Sequence, residues 1–143
     1  AWGLGLDRSF DALTAAQRNA RALGLAGRAH FCQSDWCGAV EGTWDIVVSN
    51  PPYIASSAIA ALAPEVRGHD PRAALDGGED GLAAYRALLP GARRCLAPEG
   101  LLALEVGATQ AAAVTALLRA AGFSRIENRQ DLGGVERCLL ARL

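Results

Sequence analysis

The strongest constraint on the fold of this 143-residue chain is an apolar run that ends abruptly at two prolines. Residues 44–49 read Trp-Asp-Ile-Val-Val-Ser, and residues 50–53, which follow directly, read Asn-Pro-Pro-Tyr. β-Branched apolar residues favour a half-buried strand. Proline lacks a backbone N–H and fixes its own φ, and the second proline also restricts the first. The chain is therefore predicted to leave a sheet through a stiff, extended segment, the 50–53 turn.

The residue types of the 50–53 turn suit a planar amino group. The side chain of Asn50 and the main-chain carbonyls are expected to point beyond the strand end, with the ring of Tyr53 beside them. Carbonyl oxygens accept hydrogen bonds from an N–H group, while the ring covers one face of the ligand. A structural turn could use two prolines but would not need asparagine before them and an aromatic residue after them. The turn therefore predicts chemistry on an amide or amine nitrogen.

The rest of the chain alternates between patterns typical of strands and of helices. Short apolar runs predict strands over residues 2–6, 29–33, 45–49 and 101–106. Helical patterns cover residues 9–24, 81–96 and 109–121. The first helix is predicted to begin with Ser9 as N-cap, to stop at Gly24 and to bury one stripe of side chains, namely Leu13, Ala16, Ala20 and Leu23. Pro90 is expected to kink the second helix. Two last strands, residues 125–128 and 137–141, flank Gly133-Gly134 and predict an antiparallel hairpin. This alternation predicts an α/β fold with a parallel sheet between helices.

Two segments interrupt the alternation. Residues 54–80 are rich in proline and glycine and show at most one helical turn, over residues 58–62. A loop of this length in a compact domain is usually functional or disordered, and its place after the 50–53 turn predicts a lid facing a substrate. Residues 98–100, Pro-Glu-Gly, are predicted to turn the chain into the strand that begins at Leu101.

Three polar side chains end successive predicted strands, and parallel strands end at one edge of a sheet, where ligands bind. Asp7 could accept hydrogen bonds from ribose hydroxyls, or merely begin a helix, where a negative charge is favoured. Asp35 and Trp36 could bind an adenine ring or form a surface turn with a half-buried indole. Asn50 is the third of these residues. Glu105, inside an apolar strand, is either a buried acid that needs a partner or a residue at the rim of the site.

Composition narrows the classes of partner. The formal net charge is −1, and the basic residues are all scattered arginines apart from the pair Arg93-Arg94, which argues against a nucleic-acid surface. No apolar run approaches the roughly 18 residues that span a bilayer, so no membrane association is expected. The cysteines lack metal-ligand spacing and are predicted to be buried, reduced thiols of a cytoplasmic protein, with no metal; they are Cys32, Cys37, Cys95 and Cys138.

Asn-Pro-Pro-Tyr after an apolar strand resembles the signature of S-adenosylmethionine-dependent methyltransferases that act on amino groups. That group includes adenine N6-methyltransferases and the glutamine N5-methyltransferases of peptide chain release factors. The order and spacing of further segments are similar to the second set, the HemK/PrmC family. These segments are residues 6–8, 15–20, 33–36, 48–54, 64–66, 74–82 and 104–107.

The resemblance implies a Rossmann-like class I methyltransferase sheet, mostly parallel with a C-terminal antiparallel hairpin. It implies S-adenosylmethionine as cofactor and the glutamine of a release factor Gly-Gly-Gln motif as substrate. The implied cofactor-binding residues are Asp7 at the ribose, Asp35 and Trp36 at the adenine, and Asn50 between cofactor and substrate. The implied substrate-binding residues are Asn50, Pro51, Pro52 and Tyr53, of which Asn50, Pro51 and Tyr53 are the implied catalytic residues.

The chain departs from this family at its beginning. Family members carry a first strand, a glycine-rich loop and an N-terminal helical domain, and none of these precedes Ala1. Residues 1–143 are therefore expected to be a partial catalytic domain, whose missing segment exists in the full protein. Two alternatives stay open: an adenine N6-methyltransferase of DNA or RNA that holds a flipped base, and a catalytically silent remnant that binds a partner. The near-neutral charge and residues 77–81 argue against the first.

Overall fold

In the computed structural model, which describes residues 1–143, the chain divides into two units, Ala1–Gly42 and Thr43–Leu143. The first unit contains strand β1 (Gly3–Asp7), helix α1 (Phe10–Ala22) and strand β2 (Ala29–Gln33). β1 and β2 pair in parallel. The two strands and the intervening helix that the sequence predicts for this region are therefore confirmed.

Helix α1 begins where the sequence predicts and buries less than expected. The Ser9 side chain caps it by accepting a hydrogen bond from the Ala12 N–H at 3.2 Å. Leu13 and Ala20 are buried, whereas Leu23 is 73% exposed. The prediction that Leu23 lies on the buried stripe is wrong, because the helix ends at Ala22 and Leu23 is its C-cap residue.

The second unit is built on a four-stranded sheet in the order β3-β4-β6-β5. β3 and β4 are parallel, and β6 is antiparallel to both β4 and β5. The α/β class and the C-terminal antiparallel hairpin are thus confirmed. The strands are β3 (Trp44–Ser49), β4 (Leu96–Glu105), β5 (Arg125–Gln130) and β6 (Glu136–Arg142).

The core of this unit lies where helices pack on the sheet. Alternate residues of a strand face opposite sides, and Leu102 and Leu104 of β4 are fully buried together with Leu139 of β6. The helices supply Tyr85, Leu118 and other buried side chains. Burying each large apolar side chain contributes about 1.5–3 kcal/mol. The helices are a 3-10 helix (Ser56–Ala61), α2 (Pro64–His69), α3 (Arg72–Leu75), α4 (Ala83–Cys95) and α5 (Ala111–Ala120).

Two predictions about irregular segments are wrong. The helical turn predicted for residues 58–62 is present as the 3-10 helix Ser56–Ala61, but residues 54–80 also contain α2 and α3, which the sequence did not predict. Helices of four to six residues have too few turns to show a periodic pattern. β4 begins at Leu96 rather than at Leu101, because residues 98–100 bulge within the strand instead of preceding it. The register shift places Leu96 opposite Trp44 and Leu101 opposite Ile46.

Two further features bear on the composition. Cys37 and Cys95 are buried as predicted, whereas Cys32 and Cys138 are only half-buried. None of the helices combines the length and the apolar character that crossing a membrane requires.

Candidate functional site

The 50–53 turn leaves the sheet directly after β3 with its residues at different depths. Pro51 is among the fully buried side chains, Pro52 and Tyr53 are half-buried, and Asn50 is exposed. No hydrogen bond within the chain reaches the Asn50 side chain or the Pro51 carbonyl. The buried Pro51 therefore anchors a turn whose Asn50 side chain is exposed and available to a ligand.

Glu105 lies beside this turn, at the end of β4. The hydroxyl of Tyr53 donates to Glu105 Oε1 at 3.4 Å, and the hydroxyl of Tyr85 donates to the Glu105 main-chain carbonyl at 3.0 Å. Burial, and then the nearby Tyr53 and Glu105, raise the pKa of Tyr85 above its usual value of 10.0, so this hydroxyl stays a neutral donor. Glu105 is half-buried and lines a cleft, which favours the rim position over the buried acid.

An open cleft of about 700 Å³ lies along the carboxyl ends of β3 and β4. Its lining includes Val48, Asn50 and Tyr53 together with residues of the β5–β6 hairpin. A cleft of this volume is large enough for a drug-sized ligand. The hairpin residues that line it are Arg129, Gln130, Asp131, Arg137 and Cys138.

A second hollow, of about 500 Å³, also contacts Tyr53. Its lining includes Asp80, Gly107 and Gln110. Asp80 forms a two-pronged ion pair with Arg86, with distances of 2.6 and 3.0 Å, and these hydrogen bonds lower the pKa of the Asp80 carboxyl to about 2. Tyr53 lines both cavities, so the position of its ring shapes each of them.

The segment that follows the turn is fixed to residues 75–78 by main-chain hydrogen bonds. Ile54 N–H donates to the Leu75 carbonyl at 3.1 Å, Gly77 N–H to the Ile54 carbonyl at 2.8 Å, and Ser56 N–H to the Gly78 carbonyl at 2.9 Å. These three bonds hold the end of the predicted lid segment against the residues that leave the turn. That the segment acts as a lid stays a prediction.

Asp76 reinforces this connection through its side chain. Its Oδ1 accepts from the Ser56 hydroxyl at 2.6 Å and from the Gly78 N–H at 3.0 Å, and Arg72 donates to Oδ2 at 3.1 Å. These hydrogen bonds, led by that from Ser56, hold the pKa of the Asp76 carboxyl below its usual value.

Gln110 is a residue of the site that sequence reasoning missed. Its Nε2 donates to the Tyr53 carbonyl at 2.9 Å and to the Gly81 carbonyl at 3.2 Å, and its Oε1 accepts from the Gly107 N–H at 3.1 Å. The only sequence signal is an amide at the N-cap position of an otherwise apolar helix, three residues after a glycine that follows a strand. That signal indicates a helix start and not a contact with the turn.

In the first unit, the structure brings Asp7 and Asp35 to the neighbouring carboxyl ends of β1 and β2. Ser34 N–H donates to the Asp7 carbonyl at 3.0 Å, and the Gln33 side chain donates to the Arg8 carbonyl at 2.9 Å. Asp7 is exposed; its Oδ1 accepts from the Ser9 N–H at 2.8 Å, which leaves Oδ2 without a partner. Asp7 therefore supports the start of α1 and keeps a free acceptor. Asn50, the third predicted rim residue, lies in the second unit.

The residues after β2 have an unusual backbone. Trp36 has φ of 50°, the only non-glycine residue with a positive φ, and its side chain is half-buried. The left-handed region is uncommon for non-glycine residues and is often found at functional sites. The neighbouring Asp35 carboxylate lies 4.0 Å from Arg8 Nε, with both side chains about three-quarters exposed. That distance and exposure make the ion pair weak, so the Asp35 carboxylate is accessible to a ligand.

The known sequences most relevant to this chain are methyltransferases, to which it is similar. The family model described as "Methyltransferase small domain" matches residues 4–66. The release factor glutamine methyltransferase of Rhodospirillum rubrum is 54% identical over 142 residues, which cover 99% of this chain and 44% of the relative. The enzyme of that name from Caulobacter vibrioides is 50% identical over 141 residues, covering 98% of this chain and 49% of the relative. The chain thus spans about half the length of the curated relatives it matches.

Solved structures agree with the fold. A methyltransferase from Pyrococcus furiosus superposes with a TM-score of 0.71 at 18% identity, covering 98% of this chain and 61% of that one. At such low identity the likeness establishes the fold and nothing more. The predicted class I methyltransferase fold is confirmed by this comparison.

Proposed function

We propose that this chain belongs to the release factor glutamine methyltransferases, the HemK/PrmC family, and that residues 1–143 form part of a catalytic domain that methylates a glutamine amide. The methyl donor is S-adenosylmethionine, and the acceptor is the side-chain nitrogen of the glutamine in the Gly-Gly-Gln motif of a peptide chain release factor. The observation that supports this most directly is the exposed Asn50 side-chain amide, which has no partner within the chain and directly precedes the buried Pro51. A release factor substrate implies activity in the cytoplasm.

The proposed chemistry begins with a poor nucleophile. The lone pair of an amide nitrogen is delocalised into its carbonyl, so methylation requires a nitrogen that is correctly oriented and less conjugated. The Asn50 side-chain oxygen and the Pro51 carbonyl accept hydrogen bonds from the two N–H groups of the substrate amide. These bonds favour a pyramidal, electron-rich nitrogen as positive charge develops on it. When bound, S-adenosylmethionine would supply an electrophilic methyl group on a sulfonium ion, whose sulfur would keep the electron pair of the broken C–S bond as a neutral thioether.

The aromatic ring of Tyr53 completes the proposed substrate site. It packs against the planar amide, while its hydroxyl is held by Glu105 at 3.4 Å. The methylated nitrogen is acidic and loses its proton to water after the transfer. No general base or covalent nucleophile is required, and Pro52 serves by fixing the extended backbone between Pro51 and Tyr53.

The first unit has side chains that suit the adenosine part of the cofactor. The free Oδ2 of Asp7 can accept from ribose hydroxyls, and the accessible carboxylate of Asp35 can accept from the adenine amino group. The half-buried indole of Trp36 offers an aromatic surface to the adenine ring. We propose that Asp7, Asp35 and Trp36 hold the adenosine and that Asn50 lies between cofactor and substrate.

The test is methyl transfer by the full-length protein with radiolabelled S-adenosylmethionine. A release factor with its Gly-Gly-Gln motif is compared with the same factor carrying Gly-Gly-Ala and with duplex and single-stranded DNA. Label is expected on the glutamine of the first substrate alone. Label on adenine instead would favour the N6-methyltransferase reading. Absence of saturable cofactor binding would identify a silent remnant.

A further inference from the structure

We propose that Gln110 is a positioning residue, which holds Tyr53 and thereby the 50–53 turn in the geometry needed for methyl transfer; this inference rests on the proposed function. Gln110 immediately precedes α5 and does not belong to the turn. Its single amide group uses two donor bonds and one acceptor bond to join Tyr53, Gly81 and Gly107. Three segments far apart in the sequence therefore meet at one side chain.

The turn needs an external support because its own backbone offers few donors. Pro51 and Pro52 have no N–H, so neither can form a main-chain hydrogen bond as donor. The first main-chain groups through which the turn is held are the Tyr53 carbonyl, bound by Gln110, and the Ile54 N–H, bound by the Leu75 carbonyl. Gln110 is thus the nearest support of the turn on its C-terminal side.

The Gln110 amide is closely packed against the backbone of Gly81 and of Gly107. A Cβ at Gly81 would lie 2.6 Å from Gln110 Nε2 and 2.5 Å from the Tyr53 carbonyl oxygen. A Cβ at Gly107 would lie 2.7 Å from Gln110 Oε1 and 3.3 Å from the Tyr53 ring. Only glycine allows the amide to approach both backbones this closely, so the amide and Tyr53 are packed against the same two glycines.

The decisive variant is Gln110→Met, which keeps the length of the side chain and removes all three hydrogen bonds. In the full-length protein, kcat for a release factor is expected to fall on the order of 10- to 100-fold, because small displacements of a reacting group have effects of that size. The KM for S-adenosylmethionine is expected to stay within about twofold, since no residue assigned to the adenosine is touched. The exposed Gln17→Met in α1, which has no side-chain hydrogen bond, is the matched control and should leave both constants unchanged.

Hydrogen exchange supplies a readout that does not depend on activity. The amides of Ile54 and Ser56 donate hydrogen bonds just after the turn, and both are expected to exchange about tenfold faster in Gln110→Met. Unchanged exchange at both amides would overturn the proposal even if kcat falls. If the wild-type protein transfers no methyl group to a release factor, the proposed function fails, while the exchange result still decides the role of Gln110.

A second variant, Gln110→Glu, separates positioning from folding. A carboxylate at the N-cap position of α5 is favoured by the helix dipole, yet it cannot donate to the Tyr53 and Gly81 carbonyls. This variant is expected to fold and to lose kcat as Gln110→Met does. Retention of more than half of the wild-type kcat in either folded variant would overturn the proposal. Failure of both variants to fold would also overturn it, because Gln110 would then be a purely structural residue.

Discussion

The 50–53 turn and the carboxylates Asp7 and Asp35 are held in place by different kinds of contact. The carbonyl of Tyr53 accepts one hydrogen bond from Gln110, 57 residues away, and its hydroxyl donates to Glu105, 52 residues away. Asp7 is held by Ser9, two residues on, and Asp35 has only a 4.0 Å ion pair between two exposed side chains. The turn is therefore fixed by tertiary contacts, whereas the carboxylates are fixed locally and remain open to solvent.

This difference matches the two tasks proposed for the regions. Groups that stabilise a transition state must be fixed before the reaction, because reorganisation during the reaction raises the barrier. Groups that bind the distant part of a cofactor contribute mainly to affinity. Changes at the turn should therefore affect turnover, and changes at the carboxylates should affect cofactor binding.

The largest effect is expected for Asn50→Ala in the full-length protein. Removing one acceptor that acts on the developing charge should lower kcat about 100- to 1,000-fold, while the Kd of S-adenosylmethionine, measured by calorimetry, changes within about threefold. Asn128→Ala, at an exposed position of β5, is the matched control and should keep normal turnover. A near-normal kcat in Asn50→Ala would remove the main distinction between the two regions.

The next effect concerns the packing around the turn. Gly81 and Gly24 both have positive φ, 73° and 69°, but a Cβ at Gly81 would lie 2.5 Å from the Tyr53 carbonyl oxygen, whereas nothing lies within 4 Å of one at Gly24. Gly24→Ala should cost about 1–2 kcal/mol through the backbone alone. Gly81→Ala should cost about 1–3 kcal/mol more, since overpacking adds to the backbone cost.

Urea unfolding of both glycine variants measures this difference directly. Equal losses of stability would show that the backbone around Tyr53 yields without cost, and the turn would then be no more tightly fixed than the loop after α1.

A smaller and opposite pattern is expected for Asp7→Asn. The neutral amide keeps an acceptor but loses the charge, so the Kd of S-adenosylmethionine should rise about tenfold, with kcat at saturating cofactor within about threefold. Asp11→Asn, in the first turn of α1, is the matched control. A fall in kcat without a change in Kd would assign Asp7 to the reaction instead of to cofactor binding.

The smallest effect is on acid stability. The Arg86 hydrogen bonds hold the pKa of Asp80 at about 2, below the value of 3.8 for a free aspartate. The ionised carboxylate therefore stabilises the fold above about pH 4, and this contribution is lost as the pH falls towards about 2. Asp80→Asn should flatten the dependence of the unfolding free energy on pH in that range. The flattening should be partial, because Asp76 also has a lowered pKa and still contributes to the slope.

Urea unfolding at several pH values checks this expectation, with the exposed Asp45→Asn as control. A slope that is identical in Asp80→Asn and wild type would show that the ion pair beside Tyr53 adds no measurable stability.

The sequence predicted the elements that carry a strong local pattern. β2 was placed at its observed bounds, α1 at its observed cap, and the β5–β6 hairpin at its glycine turn, since alternation, capping and turn residues act between near neighbours. The short helices α2 and α3 were missed, because so few residues give no periodic signal.

The 50–53 turn shows how far the sequence alone determines the site. Two prolines restrict their own and each other's backbone, so the stiff exit from β3, with asparagine before it and tyrosine after it, was fixed by local covalent geometry. The tertiary structure alone decided what holds this turn: the amide of Gln110, the carboxylate of Glu105 and the space left by Gly81 and Gly107. The contacts of Tyr53 with Glu105 and Gln110 join residues 52 and 57 positions apart, and such pairings depend on how strands and helices pack and leave no pattern in the local sequence.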